Sequence, residues 1–181
     1  MKRAIVVAHC DDEIIWCGGL PIRYPGDWTI IACSIPTVDP IRAYKFFSVC
    51  DALGCKARLL PCAEIAADKP LENLNWIDNL AEYDHIITHN AGGEYGHLHH
   101  KQVHFRVLNS VPRKKITTFG FGRGVHFLQL TPEETEKKFN AFKKYDYRRH
   151  DGQLQWQALI KIHYNDFIRM DYETYDGDWF E

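Results

Sequence analysis

The 181-residue chain has no run of apolar residues approaching the length of a bilayer span, which argues against a helical membrane protein. It has little excess charge of either sign. A formal net charge of -2 gives no reason to expect a nucleic acid or an anionic membrane as partner. It has no CxxC pair, and all six cysteines (Cys10, Cys17, Cys33, Cys50, Cys55 and Cys62) fall near its start. With no export signal either, they are expected to be small, reduced core residues. The opening MKRAIVVAHCDDE carries basic residues before an apolar run, but that run is very short, ends in charge and has no small-residue cleavage site. It reads as a first strand, and the protein is expected to be cytoplasmic. No linker, low-complexity tract or internal repeat divides the sequence, so residues 1–181 are expected to form one domain.

Strand-like and helix-like segments alternate along the chain. Strands are expected at 3–8, 28–35, 56–63, 83–90 and 114–120. Helices are expected from Asp12, over Ile41–Leu53 with Gly54 as the stop, over Leu71–Ala81, over Leu98–Leu108, from Thr131, and over Gln153–Ile168. PIRYPGDW (21–28) supplies turn residues. Near-continuous apolar strands alternating with helices argue for an α/β fold, a Rossmann-like three-layer sandwich with a mostly parallel sheet. Ligands of such sheets bind beyond the carboxyl ends of the strands. Two strands end in dense polar chemistry, the first at AHCDDE (8–13) and the fourth at THNAGGEYGHLHHKQVH (88–104), and a parallel sheet brings both ends to one edge.

His9 and Asp12 lie three apart at a strand-to-helix turn and can reach one point. Imidazole and carboxylate are ordinary ligands for zinc or another divalent ion. Asp11 cannot easily share that geometry, which suits it to take a proton from water activated by such an ion. The plain alternative is an Asp pair capping a helix N-terminus. In the second stretch His97 and His100, or His100 and His104, share a helical face. One histidine from here would complete a three-ligand site, and another could polarise a carbonyl or protonate an amine. Gly92, Gly93 and Gly96 permit the tight turns required. Taken singly, His85, His99 and His104 read as solvated polar residues. His126, His150 and His163 have no visible partner, GFGRG (120–124) reads as a turn, and Trp16 offers a wall on which a sugar could stack.

The pair AHCDDE and HNAGGEYGHLHH resembles the motifs of the PIG-L/LmbE-like family of zinc-dependent de-N-acetylases. The first matches AHPDDE except for Cys10 in place of proline, and Gly96-His97-Leu98-His99-His100 matches the second, an HxxH element. The resemblance implies that His9, Asp12 and His100 hold Zn2+, with Fe2+ as another choice, and that Asp11 is the general base. It implies that His97 stabilises the oxyanion, that Tyr95 assists at the carbonyl, and that Arg42 contacts substrate. Lys45 stands where the family's usual partner for that arginine, a glutamate, would be. Cys10 is expected to point away from the ligands. The implied reaction is removal of an N-acetyl group from an amino sugar or sugar conjugate, with that small molecule as partner. A non-catalytic metal- or sugar-binding domain and an amidase for another amide, such as a thiol conjugate, are the alternatives. A homo-oligomer is left open.

Overall fold

The computed structural model describes residues 1–36, 40–119, 126–146 and 172–175. Its main sheet has five strands: β1 (Lys2–Val7), β2 (Asp27–Pro36), β3 (Lys56–Glu64), β4 (His85–Thr88) and β5 (Ile116–Thr118). All neighbouring pairs are parallel, in the order β3-β2-β1-β4-β5. The connecting helices are α1 (Asp12–Cys17), α2 (Gly19–Arg23), α3 (Pro40–Ala52), α4 (Leu98–Ser110) and α5 (Pro132–Phe142).

The apolar strands are continuous because both faces of the sheet are covered. Successive side chains of β1 alternate between faces. Ile5 and Val7 join a core with Trp28, Ile30, Phe46, Val49 and Phe142, while Ala4 and Val6 join one with Ile31, Ile86, Val103 and Val107. The first core is roofed by α1, α2, α3 and α5, the second by α4, which completes three layers. The expected α/β class and parallel sheet are thus observed. α3 stops as expected at Gly54, whose φ of 69° is readily adopted by glycine. α5 opens with a capping box between Thr131 and Glu134.

The helix expected over Leu71–Ala81 is not observed. A single 3-10 turn, Leu74–Asp78, stands there, preceded by Asn73 in the left-handed region. Leu71, Leu74, Ile77 and Leu80 recur every three residues, the period of a 3-10 helix rather than the 3.6 of an α-helix, and three of them are buried. An antiparallel pair, β6 (His126–Gln129) with β7 (Tyr172–Tyr175), was not anticipated from the sequence. The GFGRG segment, His150, His163 and the helix expected over Gln153–Ile168 lie outside the described residues. No helix among the described residues is long and apolar enough to cross a membrane.

The strand order positions the site. From β1 the chain builds outward through β2 to β3, then returns to place β4 on the other side of β1. A crevice forms at such a reversal, at the carboxyl ends of the two central strands. Val6 pairs with Thr88 in register, so the residues after β1 and those after β4 emerge side by side.

Candidate metal and catalytic site

The two strand ends are tied directly. The Ala8 N–H donates to His89 Nε2 at 2.9 Å, and Thr88 Oγ1 donates to the Val6 carbonyl at 2.8 Å. Beyond β4 the chain folds back through Gly92–Gly96. Asn90 Oδ1 accepts from the N–H groups of Gly92 and Glu94, and Gly93 takes a φ of 65°. A Cβ at Gly93 would lie 2.9 Å from Lys101 Cγ, so this close turn requires glycine. The fold-back buries the Glu94 carboxylate. Its Oε1 accepts from the Asn90 N–H, while its Oε2 lies 2.8 Å from His89 Nδ1 and 2.5 Å from His100 Nδ1.

These contacts fix which ring nitrogens carry protons. Burial pushes the Glu94 carboxyl up, but hydrogen bonds from His100 and His89 outweigh it and leave the pKa lowered. An ionised carboxylate only accepts, so His89 and His100 carry their protons on Nδ1. His89 Nε2 is satisfied by Ala8. His100 Nε2 is buried with no hydrogen-bond partner, and it lies 3.4 Å from Asp12 Oδ2.

Asp12 is the focus of the site. Its Oδ2 accepts from the His9 N–H at 2.9 Å and lies 3.1 Å from His9 Nδ1, and its Oδ1 accepts from Trp16 Nε1 at 3.2 Å. Burial disfavours its charge, yet His100, His89 and His9 outweigh burial and hold the carboxyl well below the usual range. Burial likewise opposes charge on His9, and the hydrogen bond and charge of Asp12 win, raising its pKa. A proton and a metal ion compete for such a nitrogen.

One donor atom from each of His9, Asp12 and His100 lies within 4.8 Å of the others. Ligands at zinc distances around a tetrahedral centre stand roughly 3.3–3.4 Å apart. The Asp12 Oδ2 separations of 3.1 Å and 3.4 Å match that spacing. His100 donates its other ring N–H to a carboxylate, as metal-binding histidines do. These residues fit a divalent ion. Two further groups have similar spacing, His89–Glu94–His100 and His9–His97–His99. Both fit less well: the first is closed by hydrogen bonds to Glu94, and in the second His9 and His99 are bonded to each other.

Asp11 flanks this group in a left-handed conformation (φ 118°, ψ -26°) that non-glycine residues seldom adopt. Hydrogen bonds hold it there. Its N–H donates to Glu13 Oε2 at 2.8 Å, and Glu13 Oε1 accepts from Tyr145 Oη at 2.6 Å. Burial raises the Glu13 pKa to about 8, against the bonds from Tyr145 and the Asp11 N–H. Arg42 Nη2 reaches Asp11 Oδ2 at 2.5 Å, and Arg42 Nε donates to the Cys10 carbonyl at 2.7 Å. Asp11 makes no side-chain cap to α1, so the plain capping role is not what this residue does.

His97 is the N-cap of α4. Its Nδ1 accepts from the His99 N–H at 3.2 Å, so in the neutral ring the proton sits on Nε2. Burial, then the nearby His100, His9 and His99, lower its pKa to about 4. Tyr95 is exposed, with its ring 5.5 Å from that of His100 and 5.8 Å from that of His97.

The crevice, the His9–Asp12–His100 group and the flanking Asp11 are set in a fold similar to that of known deacetylases. A teicoplanin-pathway deacetylase, solved as a triple mutant, superposes with a TM-score of 0.65 at 13% identity, covering 94% of this chain and 89% of that one. Dbv21, the deacetylase of the A40926 pseudoaglycone, has a TM-score of 0.65 at 15% identity, covering 96% and 94%. The same fold also carries different chemistry. GalB of Pseudomonas putida KT2440, a 4-carboxy-2-hydroxymuconate hydratase, has a TM-score of 0.58 at 14% identity, covering 93% and 90%. At these identities the likeness is one of fold. Uncharacterized protein L374 of Acanthamoeba polyphaga mimivirus is 27% identical over 141 residues, covering 65% of this chain and 60% of L374. This chain thus spans about 60% of that curated relative. No protein-family model matches the sequence.

The structure brings together His9, Asp11, Asp12, Arg42, Tyr95, His97 and His100 at one sheet edge. The Cys10 side chain turns into the core, as expected. Lys45 Nζ bonds the Asp146 carbonyl at 3.5 Å, so the position of the family's glutamate serves another contact. Two readings are corrected. His99 and His104 are buried, not solvated: His99 bonds His9 and the Lys69 carbonyl, and His104 Nδ1 donates to the His89 carbonyl at 2.7 Å. His89 and Glu94 received no role from the sequence, although an acid set inside a histidine stretch was the available signal.

Proposed function

We propose that this protein is a metal-dependent amidohydrolase that removes an acetyl group from an N-acetylated amino sugar or sugar conjugate. The observation that carries this reading is the unpartnered Nε2 of His100, aimed at Asp12 beside His9 and flanked by Asp11 and His97. His9, Asp12 and His100 would hold the ion, zinc by preference or ferrous iron, which supplies Lewis acidity toward the amide carbonyl and acidifies water. Asp11, oriented by Arg42, accepts a proton from the attacking water as its oxygen bonds the carbonyl carbon. His97 donates its Nε2–H to the developing oxyanion. Tyr95, whose hydroxyl is kept protonated by a pKa raised to about 12, assists at the same oxygen. The C–N bond then breaks, the proton taken by Asp11 passes to the departing nitrogen, and acetate and a free amine result. Arg42 acts through Asp11, and Trp16 with Tyr95 offers an aromatic wall to the sugar.

Since one fold serves a hydratase as well as deacetylases, the chemistry must be tested at the site. Release of free amine from N-acetylglucosamine conjugates by zinc-loaded protein is the direct assay. Asp11→Asn should keep its metal and lose roughly 10²–10⁴-fold in turnover. Substantial retained turnover would reject Asp11 as the base. Binding of amino sugars without hydrolysis across a broad acetamide panel would reject the enzyme and leave a binding domain. Release from thiol conjugates alone would move the substrate class.

A further inference from the structure

His99 is fully buried, and both ring nitrogens are engaged. Its Nε2 lies 2.7 Å from the Lys69 carbonyl, and its Nδ1 lies 2.8 Å from His9 Nε2. A carbonyl oxygen only accepts, so the His99 proton is on Nε2 and its Nδ1 is a lone pair. With that lone pair as acceptor, the 2.8 Å contact is His9 Nε2–H donating to His99 Nδ1. A neutral His9 with its proton on Nε2 presents a bare Nδ1, the atom that stands 3.1 Å from Asp12 Oδ2. The opposite tautomer would turn an N–H toward the ion.

We infer that His99 is a positioning residue of the metal site: through the Lys69–His99–His9 chain of hydrogen bonds it selects the His9 tautomer whose Nδ1 lone pair faces Asp12 and the ion. This rests on the proposed metal site and adds a member to it. The same chain ties the site to the segment after β3. One turn further along α4, Gln102 Oε1 accepts the Leu71 N–H at 2.9 Å, so Lys69 and Leu71 are clipped to successive turns of one helix. His9 on one side and His100 on the other are thus treated alike. Each has one ring nitrogen committed to a buried acceptor, Glu94 for His100 and His99 for His9, and the other left for the ion.

Asparagine and glutamine separate the two hydrogen bonds of His99. The amide oxygen of asparagine falls near the histidine Nδ1 position and can still accept from His9. The amide nitrogen of glutamine falls near Nε2 and can still donate to Lys69, but cannot reach His9 in the same way. Zinc and cobalt affinities of intact protein are to be measured by competition with a chromogenic chelator, with thermal unfolding of each variant recorded alongside. His99→Gln and His99→Ala are expected to lose roughly 10–100-fold in affinity, while His99→Asn stays within about threefold of wild type. Wild-type affinity in His99→Gln, or equal losses in His99→Asn and His99→Ala, would overturn the inference. Should the variants fold poorly, long-range 1H–15N spectra of zinc-loaded wild-type protein read the tautomer directly. A proton on His9 Nε2 supports the inference and one on Nδ1 refutes it. A wild-type protein that binds no divalent ion removes the metal site itself and this inference with it. Wild-type binding combined with an unaffected His99→Gln removes the inference alone.

Discussion

Glu94 Oε2 takes hydrogen bonds from two stacked imidazoles at once, His100 at 2.5 Å and His89 at 2.8 Å. The rings lie 3.9 Å apart and nearly parallel, and one carboxylate orients both. His89 closes the junction of β1 with β4, and His100 faces Asp12, so Glu94 couples the architecture of the crevice to its proposed ligand set.

Glu94→Gln keeps the size of the side chain but replaces an anion by an amide with one acceptor. Metal affinity should fall roughly 10–100-fold, the usual cost of losing the carboxylate behind a ligating histidine. Chelator competition measures it. Unchanged affinity would show that His100 is held by packing alone.

Arg42 places two hydrogen bonds around the Asp11 turn, one on the side chain and one on the Cys10 carbonyl. Arg42→Lys cannot reproduce that planar fork. Turnover should fall about 100-fold, the scale of a small misplacement of a reacting group, while metal content stays at the wild-type level. If KM rises and kcat does not change, Arg42 binds substrate rather than orienting Asp11.

Arg23 and Glu134 form a forked ion pair joining α2 to α5. The hydrogen bond from Arg23 outweighs burial and lowers the Glu134 pKa to about 2. A depressed carboxyl stabilises the fold above its ordinary value near 4.5, and the contribution is lost as pH falls from there through about 2. Both side chains retain solvent contact, so the pair is worth less than about 1 kcal/mol. Arg23→Met should lower Tm by no more than about 4 °C at pH 7, and the difference from wild type should shrink as pH falls below 4. Thermal scans across pH test this.

Most of the sheet was legible because β1, β2 and β4 are buried on both faces and so read as unbroken apolar runs. The site was legible because its groups sit at strand ends, where AHCDDE and the histidine stretch stood out. Local patterns failed where the decisive partner was remote or the period misleading. Leu71, Leu74, Ile77 and Leu80 suggest a helix until their three-residue spacing is taken literally. His99 and His104 look like surface residues in a polar stretch, since their partners, His9 and the carbonyls of Lys69 and His89, are brought to them only by the fold. Glu94 needed the left-handed turn at Gly93 before it could reach two histidines. The partner of Arg42 lies 31 residues earlier, and nothing in the local sequence of α3 points to it.

The bond from Tyr145 to Glu13 spans 132 positions of the chain. Glu13 supports the Asp11 turn, so the opening motif depends on a side chain from the 3-10 turn Lys143–Tyr145 that follows α5. During synthesis the AHCDDE segment leaves the ribosome well ahead of Tyr145, so the acid that steadies it must wait for its hydroxyl donor while the intervening chain is made. A product truncated before Tyr145 would carry the motif with its support unfinished.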